Sequence, residues 1–365
     1  MNSKRAVEAN PLQTAMLNFI RLAFVFYLTA AVCCFCDAQT YAIGADVSFL
    51  GKCEQGGVVF KEAGQPKDVL AILHEHNYNW VRLRIFHDPS VSTDKLPNDL
   101  HYTLALAKRA KRMGFHLLLD LHYSDTWADP GKQFTPAAWS NLNHKQLEGQ
   151  VFAYTRDVIA AFARKGLMPE IVQVGNEITN GMLWPDGKLP DNWDNFTDLV
   201  KAGIKGVEAG RGSRPRPRIM IHIDRSGDYD TAVHFFDELA GRNVSFDVIG
   251  LSYYPFWHGD IATMRGNLRN LALRYKHPII VVEAAYNWTP GNKAGKIAEF
   301  PETPEGQKAF LLAVDAAVRA IPDGLGQGVF WWEPAAEGDL RERSFFDNQG
   351  NVLPVVNSFD RSPPP

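Results

Sequence analysis

Eight short apolar segments constrain the fold of this chain more than any other feature of its sequence. They cover residues 42–50, 79–86, 116–123, 170–174, 218–223, 247–254, 278–282 and 328–332. Most are rich in β-branched or aromatic residues, which predicts strands. Between them, the spacing of apolar residues predicts helices, for instance over residues 67–73, 102–113, 147–163, 196–207, 232–239 and 306–320. Glycines at 114, 166 and 210 are expected to close three of these helices. Eight strands alternating with helices predict an α/β fold, a single (β/α)8 or TIM barrel.

An open, doubly wound sheet has the same alternation, and two details favour the barrel. The second strand contains Arg82 and Arg84 at alternate positions, so both side chains lie on one face. Two arginines buried without partners under covering helices would be costly, whereas the mouth of a barrel can supply carboxylates. In addition, no Gly-x-Gly-x-x-Gly turn follows the first strand, so the usual signature of a dinucleotide-binding sheet is missing.

The N-terminal residues have the organisation of a signal peptide. An apolar stretch over residues 22–36 follows Arg21 and ends at Cys36-Asp37-Ala38, small residues of the type a signal peptidase recognises. We predict a leader over residues 1–38, with Met16 as a possible true start, and lipoprotein anchoring as the alternative. The stretch is short for a membrane span, and after removal of the leader we expect no stable span. The expected location is therefore secreted or periplasmic, with a barrel over residues 39–357 and a flexible tail over 358–365.

Charge and aromatic content narrow the class of ligand. The chain has 38 basic and 41 acidic side chains, a formal net charge of −3. It therefore lacks the basic excess of a protein that binds nucleic acid. Aromatic residues make up 12% of the chain and include 9 Trp, and their flat faces can serve as platforms for ligands as well as core.

Two glutamates stand out where the predicted strands give way to polar residues. Glu177 follows the fourth strand and Glu283 follows the seventh. In a barrel, both therefore reach the C-terminal face from opposite sides. A pair of carboxyl groups in different surroundings is what glycoside hydrolysis requires, one to protonate the leaving oxygen and one to act at the anomeric carbon. The alternative for either residue is a structural carboxylate that caps a loop or pairs with an arginine.

Several segments of the chain resemble glycoside hydrolase family 53, the arabinogalactan endo-β-1,4-galactanases. The most specific are HYSDTWADP at 122–130 and VGNEI at 174–178, and others lie at 44–48, 81–84, 131–133, 181–187, 252–259 and 282–286. The resemblance implies a secreted, endo-acting enzyme that cleaves β-1,4-galactosidic bonds of (arabino)galactan with retention. It makes Glu177 the acid/base and Glu283 the nucleophile, which in a retaining enzyme lie about 5 Å apart.

The resemblance also implies roles for residues beside the two glutamates. Asn176 would donate to the sugar 2-hydroxyl, a contact that strengthens in the transition state. Arg84, preferred to Arg82, would keep Glu283 ionised by its opposite charge. Tyr253, preferred to Tyr254, would donate a hydrogen bond to the same carboxylate.

Further residues are expected to bind the galactosyl units. Aromatic platforms and polar groups that sort hydroxyls are predicted from the ends of strands three, six and eight: His122, Asp125, Trp127, Trp257 and Trp332. Asp46 is a weaker candidate, because an aspartate on strand one can simply pair with Arg82 or Arg84.

No cofactor or metal is predicted. Some members of the family carry calcium in the loop after strand seven. Here that loop, residues 287–302, offers only the carboxylates of Glu299 and Glu302, and calcium needs several converging oxygen ligands.

Two alternatives to a galactanase remain open from the sequence. A mannanase or xylanase of the same clan would use the same two glutamates and differ only in its subsites. A non-catalytic carbohydrate-binding barrel is the other, and the presence of both carboxylates with Asn176 argues against it.

Overall fold

Eight parallel strands close into a barrel in the computed structural model of the chain, which describes residues 41–291 and 299–360. Each strand pairs with the next in sequence, and the eighth pairs with the first, from Ala42 opposite Gly328 to Asp46 opposite Trp332. The strands are β1 (Ala42–Asp46), β2 (Trp80–Ile85), β3 (His116–Leu121), β4 (Ile171–Val174), β5 (Arg218–Ile223), β6 (Val248–Tyr253), β7 (Ile279–Ala284) and β8 (Gly326–Trp332). The predicted (β/α)8 barrel is confirmed, and the open-sheet alternative is wrong.

Helices follow the strands. Each of the six segments predicted to be helical from the spacing of apolar residues contains most of one helix. The helices are α1 (Leu50–Gln55), α2 (Val69–Glu75), α3 (Leu100–Arg112), α4 (His144–Arg164), α5 (Trp193–Gly210), α6 (Tyr229–Gly241), α7 (Pro255–His258), α8 (Ile261–Tyr275) and α9 (Pro304–Arg319). Short 3₁₀ helices occur at Pro89–Val91, Ala137–Trp139, Ile178–Asn180, Pro322–Gly324, Gly338–Arg343 and Pro354–Phe359. Two-residue strands form hairpins at Lys61–Glu62 with Gln65–Pro66 and at Gly181–Met182 with Gly187–Lys188.

Helix α3 shows how the local sequence sets these elements. The Asp99 side chain accepts from the backbone N–H of Tyr102 at 2.7 Å and caps the first turn. Basic residues occupy the last turn, where they complement the helix dipole. Gly114 follows with φ +88°, as predicted for a residue that ends a helix. The corresponding prediction for Gly210 is wrong, because Gly210 is the last residue of α5 itself and lies against the backbone of α4.

The interior of the barrel is apolar at one end and polar at the other. Nine buried side chains fill the half nearest the starts of the strands: Ala42, Trp80, Leu118, Ile171, Met220, Val248, Ile280, Val282 and Phe330. Further along six of the strands, two or four residues after these apolar positions, the inward side chains are polar and buried: Asp46, Arg82, Asp120, Gln173, His222 and Ser252. The apolar half stabilises the barrel, and the polar half forms the floor of the site at the C-terminal face.

The two ends of the chain differ in what the structure describes. The predicted leader, 1–38, lies outside the described residues. At the other end, the predicted start of a flexible tail at 358 is too early. Ser358 and Phe359 belong to a 3₁₀ helix, and Asp360 lies 2.8 Å from Nδ1 of His76. Residues 361–365 lie outside the described chain. None of the helices within the described ranges is long and apolar enough to span a membrane.

Candidate active site

A cleft of about 640 Å³ opens at the C-terminal ends of the barrel strands. Both predicted catalytic residues, Glu177 and Glu283, line it. Five of the predicted substrate-binding residues line it as well: His122, Trp127, Asn176, Trp257 and Trp332. The other four, Asp46, Arg84, Asp125 and Tyr253, are not among its lining residues.

The chain turns sharply after β4 to present Glu177. Gly175 has φ +86°, and a Cβ atom there would lie 2.6 Å from a side-chain carbon of Ile178, so this position requires glycine. Glu177 itself lies in the left-handed region, with φ +47° and ψ +49°, which is uncommon for a residue with a side chain. This strained backbone turns the Glu177 carboxyl group toward the cleft. Strained conformations of this kind cluster at functional sites.

The surroundings of Glu177 favour its protonated form. The side chain is 9% exposed, and its Oε1 accepts a hydrogen bond from the Ser252 hydroxyl at 2.6 Å. Burial raises the pKa of Glu177 well above its usual range, and the negative charges of Glu283 and Asp224 raise it further. Glu177 is therefore suited to donate a proton near neutral pH.

Glu283 reaches the cleft through an irregularity in β7. Residues Val281 and Glu283 pair with consecutive residues of β6, so Val282 is an extra residue between them. Such a bulge changes the direction of the following side chain. Val282 belongs to the apolar interior cluster, and Glu283 lines the cleft.

Glu283 is held by one cation and one hydroxyl group. Arg82 Nη2 lies 2.8 Å from Oε1, and the Tyr254 hydroxyl donates to Oε2 at 2.7 Å. Burial raises the pKa of Glu283, while the Arg82 charge and the Tyr254 hydrogen bond oppose this rise. Since Glu177 has no such cation among its principal influences, Glu283 is the first of the two to ionise.

The predicted preference for Arg84 over Arg82 is wrong. Arg84 pairs with Glu333 and lies 3.5 Å from Asp46. Its guanidinium is 4.3 Å from the centroid of the Phe49 ring and 4.6 Å from that of Trp127. These contacts hold Arg84 against the wall. Arg82 starts one layer deeper, and its long side chain reaches the centre of the barrel.

The predicted preference for Tyr253 over Tyr254 is also wrong. Tyr253 is the last residue of β6, and it alternates with the inward-facing Ser252. It therefore points outward, donates to the carbonyl of Gly259 at 2.9 Å and stacks on Phe310. Tyr254 is the next inward position and makes the contact with Glu283.

Two predicted sugar-binding aspartates have structural partners instead. Asp46 lies below the cleft, where its Oδ2 accepts from Arg82 at 2.8 Å. Asp125 accepts from Nδ1 of His87 and from the backbone N–H of Asp88, each at 3.0 Å, and from that of Ala137 at 2.8 Å. Asp125 thus joins two loops, and its predicted contact with sugar is not supported by its position.

Asn176 and His122 are fixed in orientation by their neighbours. Asn176 Oδ1 accepts from Arg82 at 2.9 Å, and Nδ2 donates one hydrogen to the carbonyl of Ala128, also at 2.9 Å. His122 Nε2 lies 2.9 Å from Asp120, and its Nδ1 accepts from the N–H of Ala128 at 3.2 Å. Burial alone would raise the pKa of Asp120, but Arg82 and His122 bring it down to about 2. Asp120 is therefore a permanent acceptor.

Three tryptophans provide the apolar walls. The Trp127 and Trp332 rings lie 6.1 Å apart, and Arg343 lies 5.4 Å from the Trp332 centroid. Trp257 is 66% exposed although it lines the cleft. A large exposed aromatic beside two buried carboxyl groups is typical of a site that stacks sugar rings.

A comparison with protein families identifies the chain. The model described as Glycosyl hydrolase family 53 matches residues 42–359. This chain belongs to glycosyl hydrolase family 53. It is therefore a glycoside hydrolase, and the resemblance inferred from the sequence is confirmed.

Individual relatives agree with the family. A probable arabinogalactan endo-β-1,4-galactanase A of Aspergillus terreus is 39% identical over 312 residues, which cover 82% of this chain and 86% of the relative. The GH53 catalytic domain of Ignisphaera aggregans superimposes with a TM-score of 0.82 at 34% identity, over 88% and 95% of the two chains. A structure from a study of two fungal β-1,4-galactanases gives a TM-score of 0.80 at 32% identity, over 87% and 98%.

Sequence reasoning missed the buried polar residues beneath the two glutamates of this family 53 chain. Gln173, His222 and Ser252 lie between Arg82 and Glu177 and connect them by hydrogen bonds. A signal was present: each is a polar residue inside an otherwise apolar strand, at a position of the same parity as the inward-facing residues.

The described part of the family 53 chain holds no group of three or more His, Cys, Asp or Glu side chains arranged for a metal ion. In the loop after β7, Glu302 accepts from Asn287 at 2.8 Å, and Glu299 accepts from the N–H of Ile261 at 3.4 Å. Residues 292–298 of that loop lie outside the described chain, so the prediction of no metal stays a prediction.

Proposed function

We propose that this chain is an endo-acting galactanase that hydrolyses β-1,4-galactosidic bonds of (arabino)galactan with retention of anomeric configuration. The observation that carries the proposal is the pair of buried carboxyl groups on one cleft, Glu283 beside Arg82 and Tyr254, and Glu177 beside further negative charge. The substrate class is supported by the names of relatives such as the arabinogalactan endo-β-1,4-galactanase A of Aspergillus niger, 36% identical over 82% of this chain.

In the first step, the Glu283 carboxylate attacks the anomeric carbon of the galactosyl unit beside it. Glu177 gives its proton to the glycosidic oxygen as the carbon–oxygen bond breaks, so the leaving chain departs as a neutral alcohol. The product is a galactosyl ester on Glu283. Glu177 is left as a carboxylate.

In the second step, Glu177 acts as a base. It takes a proton from a water molecule, and the water oxygen attacks the anomeric carbon from the face the leaving chain vacated. The ester bond breaks and the electron pair returns to Glu283. Two inversions give net retention, and both glutamates regain their starting protonation states.

Neighbouring residues favour this sequence. Arg82 and Tyr254 stabilise the Glu283 carboxylate before attack and after its release. Asn176, with Oδ1 fixed by Arg82, has its second amide hydrogen for the sugar 2-hydroxyl, as the sequence predicts. Burial and the charge of Glu283 raise the pKa of Tyr254 well above its usual range, so its hydroxyl remains a donor.

An open cleft suits cleavage within a polymer. The exposed face of Trp257 and the ring of Trp332 border the cleft, so a polysaccharide chain can extend beyond the reacting unit.

We also propose that the enzyme is exported, to the periplasm or out of the cell, since its polysaccharide substrate lies outside the cytoplasm. Mass spectrometry of the enzyme recovered from its host tests this, and a mature N-terminus at Gln39 is expected.

Polysaccharide digestion tests the substrate. Reducing-end release is measured on β-1,4-galactan, mannan and xylan, and we expect galactan to be cleaved into oligosaccharides of mixed length. Faster cleavage of mannan or xylan than of galactan would contradict the proposed substrate and would make the chain a mannanase or a xylanase. Binding to galactan without cleavage would favour the non-catalytic barrel.

Azide rescue tests the roles of the two glutamates. Glu283→Ala with azide should form an α-galactosyl azide from an activated substrate, because azide replaces the missing nucleophile. Glu177→Ala should form the β-azide from the glycosyl-enzyme. If Glu283→Ala gave the β-azide and Glu177→Ala the α-azide, Glu177 would be the nucleophile and Glu283 the acid/base.

A further inference from the structure

A chain of buried hydrogen bonds leads from Arg82 to the acid/base Glu177. Gln173 Oε1 accepts from Arg82 Nη2 at 3.2 Å, and Gln173 Nε2 lies 3.0 Å from Nδ1 of His222. His222 Nε2 lies 2.8 Å from the Ser252 hydroxyl oxygen, which lies 2.6 Å from Glu177 Oε1. Gln173, His222 and Ser252 are fully buried, so water does not offer alternative partners.

The ends of this chain fix its direction. Arg82 can only donate, which places the carbonyl oxygen of the Gln173 amide against it. The amide nitrogen of Gln173 then donates to Asp120 Oδ1 at 2.6 Å, and Asp120 is an ionised acceptor. One amide hydrogen remains, within reach of Nδ1 of His222 at 3.0 Å and of the Gly175 carbonyl and Asn176 Oδ1 at 3.1 Å each, so Gln173 presents an N–H and no acceptor to His222.

The tautomer of His222 follows from its contacts. Nδ1 faces the N–H groups of Gln173 and of the Glu177 backbone, the latter at 3.4 Å. Asn176 Oδ1 is also 3.1 Å away, but it already accepts from Arg82, and the Glu177 backbone N–H can only donate to Nδ1. Nδ1 is thus the acceptor and Nε2 carries the hydrogen. Burial and the Arg82 charge lower the pKa of His222 well below its usual value, in agreement with a neutral ring.

The hydroxyl of Ser252 must then donate to Glu177. Its oxygen accepts from His222 Nε2, and its single hydrogen points to Oε1 of Glu177. An acid proton on Oε1 would face this donor hydrogen and could not reach the substrate.

We propose that Ser252 and His222 are positioning residues that confine the catalytic proton of Glu177 to Oε2, the oxygen left for the glycosidic bond. The inference rests on the proposed acid/base role of Glu177. In both steps Ser252 occupies Oε1, so the same Oε2 first gives the proton and later receives one from water.

Removal of the hydroxyl predicts a loss that depends on the leaving group. In Ser252→Ala, the acid proton can reside on either oxygen, and the carboxyl group can rotate. Full general acid catalysis is worth roughly 10²- to 10⁴-fold, and we expect about a 10- to 100-fold lower kcat/KM on galactan. In a 2,4-dinitrophenyl β-galactobioside the leaving group is dinitrophenolate, which departs without needing a proton. The kcat/KM of Ser252→Ala on this substrate should therefore change by less than about 3-fold.

The pH profile provides a second readout. Glu283, Asp224, Asp129 and Tyr254 face Glu177 and are unchanged in Ser252→Ala. The lost hydrogen bond stabilises the charged form of Glu177. Its removal therefore raises the pKa of Glu177, and the basic limb of kcat/KM on galactan should move to higher pH.

Three further variants make the experiment decisive. Ser344→Ala removes another buried hydroxyl, one that donates to the Pro334 carbonyl at 2.7 Å, and its ratio of the two kcat/KM values should equal that of the wild type. Ser252→Cys keeps the side-chain volume with a weaker donor, and supplies the ratio if the alanine variant does not fold. Glu177→Ala should lose activity on galactan and retain it on the dinitrophenyl substrate.

The outcomes separate the inference from the function beneath it. An equal loss on both substrates for the Ser252 variants, or no loss on galactan, overturns the positioning role. If Glu177→Ala instead lost activity on galactan and on the dinitrophenyl substrate equally, Glu177 would not be the acid/base.

Discussion

The guanidinium of Arg82 lies 2.8 Å from Oε1 of Glu283 and 2.8 Å from Oδ2 of Asp46 and of Asp120. One cation therefore faces three carboxylates at the floor of the cleft. Burial alone would lower the pKa of Arg82, but these charges raise it overall, so its charge is permanent. The negative charge of Glu283 is supported by a group that is itself fixed by the barrel.

Arg82→Lys should damage catalysis more than Arg84→Lys. Lysine keeps the charge but cannot reproduce the geometry of the guanidinium, and a hydrogen bond to a charged group is worth about 1.5–3 kcal/mol. We expect kcat/KM to fall by about 10- to 100-fold for Arg82→Lys, with the acidic limb moved to higher pH because the pKa of Glu283 rises. Arg84→Lys is the matched control: it should lower the Tm but leave the acidic limb in place. A shift in Arg84→Lys alone would contradict the observed pairing.

The two tyrosines allow an equally direct comparison. Tyr254→Phe removes the hydroxyl that donates to Glu283 and stabilises its carboxylate, so the pKa of Glu283 should rise further. The acidic limb of kcat/KM then moves to higher pH. Tyr253→Phe removes only the hydrogen bond to the Gly259 carbonyl, so the pH profile should equal that of the wild type. Identical profiles for both variants would refute the prediction.

The strands and the two glutamates could be predicted because they depend on local pattern. The apolar segment at 116–123 contains β3, His116–Leu121, and the segment at 218–223 coincides with β5. Glu283 lies at the end of β7 and Glu177 just past the end of β4, and a carboxyl group there must lie at the C-terminal face, whatever the loops do.

Side-chain depth and loop contacts could not be predicted in the same way. Arg82 and Arg84 have the same parity, and only the Glu333 and Trp127 contacts decide which of them stays at the wall. Asp125 lies within a segment specific to the family, yet its partners, His87 and the Ala137 N–H, come from distant loops. The Tyr254 assignment was available from alternation along β6, because Ser252 faces inward.

Exposed aromatics distinguish substrate binding from stability. Trp257 is 66% exposed and lines the cleft, whereas Phe134 is 54% exposed and is not a lining residue. Loss of a stacking ring costs about 1 kcal/mol, so Trp257→Ala should raise the KM for galactan about 5-fold with little change in Tm. Phe134→Ala should change neither. Equal KM values for Trp257→Ala and wild type would exclude stacking on this ring.

The buried Glu333 predicts a pH-dependent stability. Burial raises the pKa of Glu333 to about 8, although Arg84 opposes the rise, whereas in the unfolded chain it is about 4.3. The folded state therefore holds a proton that the unfolded state has lost, and this contribution to stability disappears as the pH rises from about 4 through 8. Glu333→Gln does not titrate.

Thermal unfolding of wild type and Glu333→Gln at several pH values measures this effect. The Tm of the wild type minus that of the variant should fall by more than about 2 °C between pH 5 and pH 9. Asp120, with its pKa near 2, titrates only in acid and does not contribute in this range. A constant difference would show that Glu333 is ionised throughout.

The stereochemistry of the first product tests the roles of Glu177 and Glu283 together. Wild-type enzyme is mixed with β-1,4-galactan, and the anomeric protons are followed by NMR from the first minutes. A double displacement through Glu283 predicts that the β-anomer forms first and then mutarotates toward the equilibrium mixture. Initial formation of the α-anomer would mean a single displacement by water and would contradict Glu283 as the nucleophile.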